Sequence, residues 1–236
     1  MAEMGLGYGS EFQLLRFLGH HRKELNEKIK ESTRLKGDLY WLDFPKNTVP
    51  LSLDGEFEGI NFLKEYISKS DYDNLSVKWR NYWSMKGRQP SWDGIILHKN
   101  NSETEWVIVE AKAHINELKS VTKSSSNEQI IEAFKSAQSR FEIASNNWFG
   151  DYYQLANRLA FINFLLNNKL NASILYIYFL NGYEKYEIIN NQKVFVESKS
   201  VGKQNEWEKS IEKEYAILGI NDKAKEYISS VFIDCI

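Results

Sequence analysis

One cysteine and three prolines in 236 residues exclude a disulfide scaffold and proline-rich linkers. Cys235 has no partner within the chain and no identifiable base. It reads as a small side chain at the end of a strand rather than as a nucleophile. Long hydrophobic runs are missing too: none reaches the ~20 residues needed to span a bilayer. Met1-Ala2-Glu3-Met4 lacks the basic-then-apolar start of a signal peptide, so the expectation is a cytoplasmic protein with no membrane contact. Thirty basic against thirty-two acidic side chains give a net charge of −2, which excludes a chain that coats DNA by bulk attraction. Any contact with nucleic acid must be local, and a second copy of the chain, another subunit or a particular nucleic-acid structure would have to supply the rest. With no repeat and no glycine- or proline-rich linker, a single domain over residues 1–236 is the simplest count.

Against that background one segment stands out. Trp92-Asp93-Gly94-Ile95-Ile96-Leu97 and Trp106-Val107-Ile108-Val109-Glu110-Ala111-Lys112 are apolar runs that carry charge at one end. The polar segment Lys99-Asn100-Asn101-Ser102-Glu103 lies between them, so residues 93–98 and 105–111 read as an antiparallel β-hairpin. Folding about Asn101 and Ser102 sets Asp93 opposite Glu110, with Cβ atoms roughly 5 Å apart. Side chains alternate along the second strand, so Glu110 and Lys112 share one face. Two carboxylates so placed repel each other unless a cation sits between them, and hard oxygen ligands suit Mg²⁺ or Mn²⁺. A protonated lysine beside them can hold a phosphate oxygen, orient an attacking water or stabilise charge developing on phosphorus. Metal, water and lysine together point to phosphodiester hydrolysis. A surface hairpin with an exposed cross-strand salt bridge would need a polar outer face, and Ile95, Trp106 and Ile108 leave little of one.

An acid at the start of one strand followed by Glu-x-Lys at the end of its antiparallel neighbour resembles the PD-(D/E)xK nuclease superfamily. The match lies on Asp93, Glu110 and Lys112. It departs from the pattern in that the proline often found directly before the aspartate is Pro90, with Ser91 and Trp92 intervening. The resemblance implies an α/β, restriction-endonuclease-like mixed β-sheet flanked by α-helices, Mg (or Mn) as cofactor, and nucleic acid as substrate, with DNA favoured. It also implies a glutamate from the first helix reaching the metal. Glu11 fits that role: Ser10 and Gln13 look like a capping box, and Phe12, Leu14, Leu15, Leu18, Leu25 and Ile29 continue as a helix whose apolar stripe includes the Glu11 position. The alternative is that Glu11 only favours the positive end of the helix dipole. Glu56 and Glu58, assigned to a shorter helix, are competing donors.

In some relatives a glutamine, followed one turn later by another polar residue, stands beside the active site and touches nucleic acid. Gln154 and Arg158 look like such a pair on the strongly apolar helix near residues 152–167. Both could equally lie on its wet side. Between Val77 and Trp92 the chain carries Lys78, Arg80, Lys86 and Arg88 with no acid, interleaved with Trp79, Tyr82, Trp83 and Trp92. This composition suits a nucleic-acid surface leading into Asp93, or else an amphipathic helix with its rings in the core. Lys119 and Lys123 could extend that rim into Ser124-Ser125-Ser126. Gly5-Leu6-Gly7-Tyr8-Gly9 follows no strand and reads as a leader rather than a phosphate loop. His20, His21, His98 and His114 read as structural, with His114 close enough to Lys112 to support it. A helix near 127–145, a strand at 172–179 and a terminal strand around Val231-Phe232-Ile233 complete the outline.

The residues thus support a metal-dependent nuclease. The alternative is a catalytically silent module of the same fold that binds nucleic acid or a protein partner. A glycoside hydrolase also pairs carboxylates, but it leaves Lys112 and the basic aromatic stretch unexplained.

Overall fold

A computed structural model describes residues 9–42, 57–87, 89–120, 127–144, 147–181, 183–190, 192–197 and 202–235. Two helices open it, α1 (Gly9–His20) and α2 (Arg22–Ser32), followed by strands β1 (Asp38–Trp41) and β2 (Phe57–Glu58). After α3 (Lys69–Tyr82) and β3 (Ser91–Trp92) comes the hairpin of β4 (Gly94–Asn100) and β5 (Glu103–Lys112). Helices α4 (Glu128–Phe141) and α5 (Tyr153–Asn167) lead to β6 (Ala172–Leu180), and a second hairpin joins β7 (Tyr183–Ile189) to β8 (Gln192–Glu197). Helices α6 (Gln204–Leu218) and α7 (Asp222–Lys225) precede β9 (Ile228–Asp234).

Five strands form one sheet in the order β1-β4-β5-β6-β9. Among the first three, β4 runs antiparallel to both of its neighbours, β1 and β5, whereas β5, β6 and β9 run parallel. Parallel neighbours need crossovers, which α4 and α5 supply between β5 and β6, and the segment containing α6 and α7 supplies between β6 and β9. The result is a mixed sheet flanked by helices. Among the described residues no helix is long and apolar enough to cross a membrane.

Alternation along the strands divides the core in two. Ile95, Trp106, Ile108, Ile174, Tyr176 and Tyr178 face a large cluster built with α3, α4, α5 and α6. Ile96, Val107, Val109, Ala111, Leu175 and Ile177 face a smaller one built with α1 and α2. Helices on both faces explain why β6 is apolar almost throughout rather than alternating. Every residue of α5 from Leu155 to Leu165 is buried, as expected of a helix covered on all sides. Its polar side chains serve as ties to its neighbours. The Tyr82 hydroxyl donates to the carbonyl of Ala160 at 2.9 Å, and Asn163 donates to Tyr82 at 3.0 Å and to Ser136 at 2.9 Å.

The first helix differs from expectation. It breaks at His21 instead of running through Leu25 and Ile29, and Ser10 already lies inside α1 rather than capping it. Gln13 is buried and accepts from Arg16 at 3.2 Å, while the Ser10 hydroxyl pairs with Glu117. The break at His21 lets both α1 and α2 present apolar residues to the same core. Glu58 lies on strand β2, not on a helix, while Glu56, Arg88, Lys123, Ser124, Ser125, Ser126 and the leader Gly5-Leu6-Gly7-Tyr8 lie outside the described residues. Cys235 follows β9 and is half-buried.

Trp92 links the two layers of the larger core. It is fully buried, donates from Nε1 to the carbonyl of Gly59 at 2.8 Å and packs on Phe161 at a centroid distance of 4.3 Å. Truncation to alanine leaves an indole-sized void and an orphaned carbonyl, so Trp92→Ala should lose about 3–5 kcal/mol in urea unfolding followed by circular dichroism. A loss below about 1 kcal/mol would show that the site collapses around the void.

Candidate functional site

The pairing of β4 with β5 runs from Gly94↔Val109 to Asn100↔Glu103. Asn101 turns the hairpin at a positive φ of 53°, a conformation that asparagine tolerates. Continuing this register by one step sets Asp93 against Glu110, as the sequence predicts. The ladder stops at Gly94, however, and the Asp93 carboxylate instead accepts the backbone N–H of Ala111 at 2.8 Å. Asp93 is half-buried at the mouth of the hairpin.

Glu110 is 1% exposed and both its oxygens are occupied. Oε1 receives Lys112 Nζ at 2.5 Å and Gln154 Nε2 at 2.6 Å; Oε2 receives Arg158 Nε at 3.0 Å and Nη2 at 2.6 Å. Gln154 and Arg158, one turn apart on α5, therefore face the carboxylate instead of water. Helix α5 is held in place at its first turn, where the Ser120 hydroxyl accepts the Gln154 N–H at 2.8 Å. Arg158 also donates to the Ser91 carbonyl at 2.9 Å and lies over the Trp92 ring, 4.8 Å from its centroid. One guanidinium thus joins β3, β5 and α5.

Burial alone would push both carboxyls up. For Asp93 burial dominates and the charge of Glu110 adds to it, so its pKa is pushed up to about 7 despite Lys112, the Ala111 N–H and Arg158. For Glu110 burial is outweighed by the charges of Arg158 and Lys112, which hold it below the usual carboxylate range. Lys112 is desolvated as well, but Glu110 and Asp93 keep it charged. The two acids are thereby driven to opposite behaviour, a pattern that clusters at functional sites.

Two further acids join them. Glu117, on a short 3₁₀ turn over Ile115–Leu118, is raised chiefly by burial and opposed by Lys112 and the Ser10 hydroxyl. Glu214 is 2% exposed and occupies a core position on α6, in the buried stripe Trp207, Ile211, Glu214, Leu218. Burial raises it to about 8, with Lys112 opposing and Glu110 adding. Neither was anticipated. The available signal was a glutamate at the i+7 position of an apolar stripe, hidden in a helix that is otherwise polar.

The other predicted residues are placed as follows. Glu11 is half-buried in the first turn of α1, whose apolar residues pack on the opposite face of the sheet, and its neighbour Ser10 pairs with Glu117, which feels the charge of Lys112. Lys78 is exposed and donates to Asn168 at 3.0 Å, at the end of α5 away from Gln154, ~20 Å along the helix at 1.5 Å per residue. Arg80 and Lys86 are exposed, whereas Trp79, Trp83 and Trp92 are buried in the core, so these rings are not free to stack on bases. Lys119 is exposed. His114 accepts from the Asn116 N–H at 3.0 Å and His98 pairs with Glu105 at 3.3 Å, both structural contacts.

As a donor set for a hard cation, Asp93 and Glu110 are of the right chemistry. Asp93 Oδ1 accepts no hydrogen bond from any described residue, and a dication would relieve the repulsion between the two acids. Among the described residues no three His, Cys, Asp or Glu side chains form a group that could hold a metal ion. In comparisons with family models, curated proteins and solved structures, nothing matches the chain.

Asp93 and Glu214 hold protons in the folded chain that the unfolded chain releases, from their ordinary values of 3.8 and 4.5 up to about 7 and about 8. The folded state binds more protons across that window, so stability falls as pH rises through it, by at most roughly 1.4 kcal/mol per pH unit per group. The melting temperature should drop between about pH 5 and about pH 8, and the drop should shrink in Asp93→Asn and in Glu214→Gln. A flat or rising profile for the wild type contradicts these environments.

Proposed function

We propose that the chain is a metal-dependent nuclease of the PD-(D/E)xK, restriction-endonuclease-like type, hydrolysing phosphodiester bonds of nucleic acid with DNA the favoured substrate. One observation carries this reading: Asp93, Glu110 and Lys112 converge at one end of the β4–β5 hairpin, with Lys112 bonded to Glu110 and Asp93 raised by burial and by its neighbour's charge. Asp93 and Glu110 would hold Mg²⁺ or Mn²⁺, which supplies neutralisation of phosphate charge and a water of lowered pKa. Lys112, kept protonated by the two acids, has a charge to offer a phosphate oxygen or the attacking water. Arg158 and Gln154 act as positioning residues, since they fix Glu110 rather than reach outward. Burial of the rings beside Lys78 and Arg80 leaves the substrate contact to charge rather than to stacking on that stretch. A second chain or subunit remains part of the proposal, because a net charge of −2 gives little general attraction for DNA.

A specific observation favours the second reading, a non-cleaving module that binds nucleic acid or a protein partner. Glu110 already has three donors on its two oxygens, so a cation would have to share or displace one. The two readings part on one measurement. With Mg²⁺ or Mn²⁺, wild-type protein should nick or degrade DNA, and Lys112→Ala, still folded by circular dichroism, should lose roughly 10²–10³-fold in rate, the scale for removing one stabilising donor. Absence of cleavage of single- and double-stranded DNA and RNA under both metals supports the binding module instead.

A further inference from the structure

A cation shared with Asp93 has to take a position on Glu110 that a side chain already fills. Oε2 is closed. Arg158 donates to it twice, at 3.0 Å from Nε and 2.6 Å from Nη2, and the same guanidinium is anchored to the Ser91 carbonyl at 2.9 Å and lies over the Trp92 ring. That leaves Oε1, where Lys112 Nζ at 2.5 Å and Gln154 Nε2 at 2.6 Å meet.

These two donors are not equally held. Lys112 is 6% exposed, and its bond to Glu110 is charged at both ends, roughly twice as strong as a neutral one. Gln154 is uncharged and half-buried, and among the described residues its side chain makes this one hydrogen bond. Its main chain is pinned separately: the Ser120 hydroxyl accepts the Gln154 N–H at 2.8 Å, and the Ser120 N–H donates to the Asp151 carbonyl at 2.6 Å. The carboxamide can therefore swing off Glu110 by side-chain rotation alone, with the first turn of α5 left in place. A leucine at this position would deny a buried carboxylate one of its donors, and a lysine would bring a charge that repels a dication. A neutral donor does neither.

We propose that Gln154 is a placeholder for the cation: its carboxamide fills a position on Glu110 Oε1 in the cation-free chain and gives that position up when a divalent cation binds Glu110 together with Asp93. This rests on the cation site proposed above. Lys112 and Arg158 keep Glu110 oriented throughout, so the exchange costs one bond rather than the network. Gln154 is then a brake on cation uptake, because the ion has to outcompete a hydrogen bond to a charged group, which holds back affinity about 10–100-fold.

The test is Mn²⁺ binding by the full chain, read from the electron paramagnetic resonance signal of free Mn²⁺, without reference to cleavage. Gln154→Met keeps an unbranched side chain and removes the donor, so it should bind Mn²⁺ about 10-fold or more tighter than wild type. A residue that only holds Glu110 in place would weaken binding on removal, the opposite sign. A second measurement needs no variant: in nuclear magnetic resonance of the wild type, the side-chain amide signal of Gln154 should shift and lose its protection from solvent exchange as Mg²⁺ saturates the site. If the wild type binds Mn²⁺ but Gln154→Met binds it equally or more weakly, or if the amide signal is indifferent to bound Mg²⁺, the placeholder role is overturned and the cation site stands. If neither the wild type nor Gln154→Met takes up Mn²⁺, the cation site and this inference fall together.

Discussion

The buried carboxylate of Glu110 is the constraint on which the rest of this structure turns. An isolated anion at the centre of a sheet costs several kcal/mol even after relaxation, and here the cost is offset by three side chains from two elements. Lys112 reaches back along β5, while Gln154 and Arg158 descend from α5. Those bonds set how α5 is rotated over the sheet, which apolar packing alone would leave loosely defined for a helix buried on nearly every side. Arg158 then carries the constraint onward to Ser91 and Trp92, and so to the strand that delivers Asp93.

The same network gives the site its charge logic. Two cations neutralise Glu110 almost completely, and Asp93, Glu117 and Glu214 are left around them with carboxyls raised by burial. Such an interior is short of positive charge whenever its acids ionise. A hard dication meets that shortage in one way; a partner's basic group would meet it in another.

The hairpin was legible because two local rules agreed. Alternation assigned Glu110 and Lys112 to one face, and a polar turn centred on Asn101 and Ser102 set the register that the backbone adopts from Gly94↔Val109 onward. The pairing of Gln154 with Arg158 was legible as a shared helix face, but not whether that face was wet, since α5 has no clear polar side to decide it. The basic aromatic stretch left two readings open for a related reason. Charge and rings alternate along α3 in one dimension, and only the helical turn sends Trp79 inward and Lys78 outward.

The sequence by itself determined the hairpin with its register and the three charged tips at one end of it. These depend on residues close together along the chain, where side-chain period and turn chemistry act directly. Only the tertiary structure decided which distant groups share their space: that Gln154 and Arg158 turn onto Glu110, that α1 packs on the other face of the sheet, and that Glu214 on α6 is buried where it feels the charges of Lys112 and Glu110. Those outcomes rest on the parallel pairing of β5 with β6 and on the way α5 and α6 pack across it. Contacts across more than forty residues are chosen by packing and by the need to satisfy buried charge, not by any local pattern.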